Sequence, residues 1–126
     1  MTELIDRLEA AEGGSRELDA EIFRAIGGTV KDVTEAGGHK HKRWIDADGV
    51  RWQSDATLFS LSLDAALQLV PAGCAWRVSQ RLDNRKPDAV IQRRDGKGGF
   101  DVWEETEAAT PALALCAACL RAWEAK

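Results

Sequence analysis

Five side chains in this sequence are of the types that hold metals or act as thiol nucleophiles: Cys74, Cys116, Cys119, His39 and His41. Cys116 and Cys119 form a C-x-x-C, but they lie inside an alanine-rich pattern of helical period. A redox pair opens a helix, where the dipole lowers the thiol pKa. Within the pattern, the two thiols are small apolar groups on one face, which predicts core packing. A zinc site needs four ligands, and only Cys74, His39 and His41 remain to complete one. His39 and His41 would share a face if they lay on a strand, yet no third ligand is adjacent. Asp46-Ala47-Asp48-Gly49 is similar to part of a calcium loop. Aligned on Gly49, however, its first ligand position is Trp44 and its last is Asp55 where a bidentate Glu is needed. No metal and no cofactor is expected.

Covalent catalysis is equally unsupported. A nucleophilic Ser or Cys needs a base and an orienting acid, and both histidines fall in one short stretch. There is no G-x-S-x-G, and Gly96-Lys97-Gly98-Gly99 lacks the Gly-Lys-Ser/Thr ending of a phosphate loop. No pair of carboxylates is recognisable, so the expectation is a chain that is not an enzyme.

Binding is the class that the composition favours. Five Trp and three Phe occur against no Tyr. Trp and Arg carry protein interfaces when exposed. Trp44, Trp52 and Trp103, beside Lys42, Arg43, Arg51 and the basic run at 39–43, are the expected exposed group. The same group could hold a small nucleotide by stacking and charge. Lys40, Lys42, Arg43 and Arg51 would carry nucleic-acid binding, but the net charge of −4 makes such a partner unexpected, because general affinity comes from neutralising phosphates. A protein partner, including a second copy, is the expectation.

These residues must be placed by a few elements. Leu4, Ile5, Leu8 and Ala11 keep a helical stripe over 3–12, ended by Gly13-Gly14. Ser15 can cap a second helix over 16–26. Residues 27–43 read as a solvated loop. Arg43 to Trp52 reads as a β-hairpin about Asp48-Gly49. Ser62 caps a helix whose stripe is Leu63, Ala66, Leu67 and Val70, and Pro71 stops it. Three strands follow: Cys74 to Gln80, Ala89 to Arg94 and Phe100 to Glu105, with Phe100 and Val102 on one face and Trp103 on the other. Turns at 83–87 and 95–99 join them. Cross-strand pairs of Arg77, Arg81, Arg93 and Arg94 with Asp101, Glu104 and Glu105 are expected. Thr110 caps the last helix with Pro111 at its first position; Leu113, Cys116, Leu120 and Trp123 form its inner stripe.

The length of 126 residues suits one domain over residues 1–126. Apolar content of 44% and charge of 30% are globular values. No apolar run approaches the roughly 20 residues that span a bilayer. Acid at Glu3 and Asp6, where a signal peptide carries base, predicts the cytoplasm.

Two stretches resemble a known family. Phe59-Ser60-Leu61-Ser62-Leu63-Asp64-Ala65-Ala66-Leu67-Gln68-Leu69-Val70-Pro71 resembles the central block of the phage ABA sandwich domain, and Ala109-Thr110-Pro111-Ala112-Leu113-Ala114-Leu115-Cys116 resembles its C-terminal helix. Trp76 fits that family's Trp-bearing strand, while Phe59 stands where Tyr is usual. The resemblance implies a small phage or prophage protein with a three-layer α/β/α sandwich. With the strand reading above, this gives an α+β fold, a mostly antiparallel sheet with helices on both faces. The function expected is a non-enzymatic protein-binding module. The alternative is an anti-defence inhibitor such as an anti-CRISPR, or a nucleotide or nucleic-acid binder acting through residues 39–52. No catalytic residue is implied.

Overall fold

The computed structural model describes residues 1–80 and 85–124. Its order is α1 (Thr2–Ala10), α2 (Arg16–Ala25), β1 (Thr29–Thr34), β2 (Lys40–Ile45), β3 (Arg51–Trp52), a 3-10 turn at Asp55–Thr57, α3 (Leu63–Leu67), β4 (Ala75–Ser79), β5 (Asp88–Arg94), β6 (Phe100–Glu107) and α4 (Pro111–Glu124). The fold is α+β. Its strands form two antiparallel three-stranded sheets, β1-β2-β3 and β4-β5-β6, where the sequence suggested one.

The organising element is α4. Every residue from Ala112 to Leu120 is buried, because the helix touches all three strands of the second sheet and also α1 and α3. A helix apolar all round belongs inside a fold, so the single stripe read from the sequence was too narrow. Its alanines let neighbours approach, while Leu113, Leu115 and Leu120 each contribute about 1.5–3 kcal/mol through burial. Thr110 caps it, accepting from Leu113 N–H at 3.2 Å. From the sheet, the Thr106 hydroxyl donates to the Ala114 carbonyl at 2.6 Å. On α2 the Ser15 hydroxyl accepts from Leu18 N–H at 3.1 Å, as its position predicts.

Residues 27–43 are not a loop. They supply β1 and most of β2, paired from Thr29↔Ile45 to Thr34↔Lys40. Gly37 and Gly38 make the connecting turn with φ of 96° and 83°, a region open to Gly and strained for other residues. The hairpin about Asp48-Gly49 is present, with Trp44↔Trp52 and Ile45↔Arg51 in register. The capped central helix is present too. It is shorter than its stripe suggests, because i→i−3 bonds at Leu69 and Val70 tighten the chain before Pro71. Of the turn expected at 83–87, residues 83–84 lie outside the described residues, as does Arg81 of the expected ion pairs.

Candidate functional site

The expected exposed group does not form. Trp44 is 2% exposed. The edge of the Phe23 ring meets it at 5.4 Å, and the Arg16 guanidinium lies 4.8 Å from its ring centre. Trp52 is half-buried against Phe23 and Phe59, at 5.5 and 6.0 Å. Both tryptophans sit on the inner face of the first sheet, because they are direct partners across β2 and β3 and directly paired residues share a face. Burying these large rings against α2 outweighs any gain from leaving them in water. Lys42 shares their face by alternation and pairs with Asp32 at 2.9 Å. Trp103 lies on the other sheet altogether.

The buried polar centre is structural. Asp19 is fully buried. It accepts from Ser60 N–H at 2.7 Å, from the Ser60 hydroxyl at 2.5 Å and from Arg16 at 2.8 Å. Arg16 also donates to Thr57 at 2.8 Å. Among the described residues no histidine or thiol hydrogen-bonds this carboxylate, and the knot ties α2 to the 57–60 segment. Nearby, a groove of about 600 Å3 is lined by Arg7, Arg16, Glu17, Glu21, Arg24 and Lys42. Three of its four cations are already paired, Arg7 with Glu21, Arg16 with Asp19 and Lys42 with Asp32.

The thiols of Cys116 and Cys119 are core atoms. Burial pushes Cys116 well above the ordinary thiol range. Burial, with Cys74 nearby, pushes Cys119 up to about 12. The Cys116 thiol donates to the Phe59 carbonyl at 3.1 Å. His41 meets Glu35 at 3.0 Å, and among the described residues no three His, Cys, Asp or Glu side chains gather as a metal site. No described helix is long and apolar enough to cross a membrane.

What remains open is one end of the second sheet's face turned away from α4, around Phe100 and Trp103, since Asp88 and Val90 on that face are buried. Ile91 and Val102 point inward to the core, so Gln92 and its partner Trp103 point outward. Trp103 is 50% exposed and Phe100 41%. Their rings meet edge-on at 4.9 Å, and the Arg94 guanidinium lies 5.5 Å from the Phe100 ring centre. Arg77 and Glu105 flank Val90 in register on the same face.

Simple alternation put Phe100 opposite Trp103. A register shift at Arg93/Arg94 pairs Arg93 with Val102 but Arg94 with Phe100. Asp101 is therefore the extra residue of a bulge, which returns Phe100 to Trp103's side. Arg93 grips that residue through both oxygens, at 2.8 to 3.1 Å. These bonds hold the Asp101 carboxyl below the ordinary aspartate range. Phe100 and Arg94 were missed as neighbours of Trp103. The signal for them was the Gly-rich 95–99 turn, since such turns often open a bulge. Comparisons with protein-family models, curated proteins and solved structures find no match to this chain.

Proposed function

We propose that this chain is a non-enzymatic protein-binding module that docks through the open face of its second sheet, with Trp103 as the anchor. One observation carries the reading. A tryptophan half in water stands on a sheet face opposite the core helix, steadied by Phe100 and rimmed by Arg94, Arg77 and Glu105. An aromatic anchor with a charged rim is the anatomy of an interface hot spot. The partner is a host or phage protein, or a second copy.

The resemblance of residues 59–71 and 109–116 to the phage ABA sandwich domain supports placing the chain among small phage or prophage accessory proteins in the host cytoplasm. The three-layer α/β/α arrangement and the single domain over 1–126 belong to that same proposal. An anti-defence inhibitor is this reading with a host defence protein as the partner.

The test compares the tagged chain with its Trp103→Ala variant. The wild type is expected to hold one protein as a stoichiometric complex, or to self-associate in analytical ultracentrifugation, and Trp103→Ala to lose either by at least tenfold. A complex that Trp103→Ala retains undiminished, or monomers without any partner, would sink the reading.

A further inference from the structure

The outer face of the first sheet has a different character. Trp44, Trp52 and Val30 point inward to the core, so alternation turns Lys31, Arg43 and Arg51 outward. Lys31 and Arg43 are direct cross-strand partners, and Arg51 pairs with Ile45, two residues beyond Arg43. The three cations form a diagonal row over three strands, with Cβ atoms ~5 Å and then ~7–8 Å apart. Like charges directly opposite weaken a sheet, and the acid that alternation places on this face, Glu35, is taken by His41 at 3.0 Å. Among the described residues Lys31, Arg43 and Arg51 have no ion-pair partner, whereas Lys42 on the inner face is paired with Asp32. The Nε of Arg43 is buried and has no hydrogen-bond partner among the described residues.

We infer that this face is a docking surface for the phosphate backbone of duplex nucleic acid. The inference goes beyond the protein-binding reading and uses the other sheet. The row of three is positive although the whole chain is acidic. Among the described residues no large exposed apolar side chain stands on this face to anchor a protein: Trp76, Phe100 and Trp103 belong to the second sheet, and Val50 falls on the Trp52 side of the hairpin by alternation. Trp44 and Trp52 point to Phe23 and leave no indole outward to stack an unpaired base, and the His41 ring on this face is held by Glu35. Cations beside the exposed polar groups of Thr29 and Gln53 suit phosphate oxygens, which position a duplex without reading its sequence. The arginines add the two-pronged geometry that phosphate accepts.

The experiment follows fluorescence anisotropy of a short mixed-sequence DNA duplex against the full chain over a salt series. Three phosphate contacts predict a slope of about −2.7 for log K against log salt, so affinity falls about 40-fold between 50 and 200 mM. Lys31→Gln and Arg51→Gln, both at exposed positions, should each flatten the slope by about 1. Arg24→Gln, an exposed cation on α2, and Trp103→Ala should leave it unchanged. Absence of binding at low salt overturns the inference, as does a slope that neither sheet variant alters. Polyglutamate or phosphatidylserine vesicles binding more tightly than the duplex would also overturn it, and would assign the face to an acidic protein or a membrane surface. A Trp103→Ala variant that loses its protein complex yet keeps duplex binding separates the two proposals.

Discussion

The indole N–H of Trp52 donates to the carboxylate of Asp46 across the β2–β3 turn, at 2.9 Å. The other carboxylate oxygen accepts from the backbone N–H groups of Asp48 and Val50, both at 2.9 Å. The Trp52 bond first, then the backbone bonds, hold the Asp46 carboxyl below its ordinary value. A lowered pKa contributes stability that is present above the unfolded value of about 4 and is lost as pH falls through the folded one. Asp46→Asn should therefore lower the urea midpoint at neutral pH, and the gap to wild type should shrink as pH falls below the ordinary aspartate range. A gap of constant size across that pH range would show that the charge of Asp46 has no part in holding the hairpin.

Asp19→Ala tests the knot beneath α2. It leaves Ser60 N–H and the Ser60 hydroxyl without their acceptor and Arg16 without its carboxylate. Breaking a buried, hydrogen-bonded charge is expected to cost about 3 kcal/mol. Asp19→Asn keeps an acceptor for Ser60 and should recover part of that loss. Chemical denaturation of the three proteins checks the order, and an Asp19→Ala variant as stable as wild type would contradict the geometry.

Thiol reactivity should follow burial. Cys116 and Cys119 are fully buried and Cys74 is partly exposed. With both inner thiols pushed up by burial, the thiolate that reacts is scarce near neutral pH. An aromatic disulfide reagent should titrate one thiol quickly in the native chain and all three in denaturant. Cys74→Ser should abolish the fast phase. Rapid native labelling of Cys119 would place it elsewhere than in the core.

Much of the fold was legible because local chemistry and tertiary packing agree. Ser15, Ser62 and Thr110 cap the helices that they precede, and the Asp48-Gly49 turn sits between paired strands. The misreadings came where one residue type serves two environments. The His-Lys run at 39–43 is polar enough for a loop, yet Lys40 to Arg43 pair with β1 across the Gly37-Gly38 turn, which hid β2. Trp44 and Trp52 are equally spaced about residue 48, and that symmetry already put them on one face. A shared aromatic face on a small hairpin is a core face, and this was the overlooked signal. Phe100 was illegible by alternation because a bulge resets the period, and α4 because burial on all sides leaves no stripe.

The link between α1 and α2 yields a paired prediction from two adjacent glycines. Both read from the sequence as a helix stop, but α1 already ends at Ala10. A Cβ on Gly13 would meet nothing within 4 Å, whereas one on Gly14 would lie 2.0 Å from the Ser60 carbonyl oxygen and 2.4 Å from its carbon. Those are backbone atoms, and Ser60 is pinned by Asp19 and Ser15 at 2.5 to 3.0 Å, so no side-chain rotation relieves the clash. Gly14→Ala should destabilise the chain by about 2–3 kcal/mol, as overpacking does, and lower the melting temperature by roughly 4 °C for each kcal/mol. Gly13→Ala should stay within about 0.5 kcal/mol of wild type, as substitutions in open space do. Equal melting temperatures for the two variants would mean that the 57–60 segment does not close over this link, and the Ser15–Ser60–Asp19 knot would fall with it.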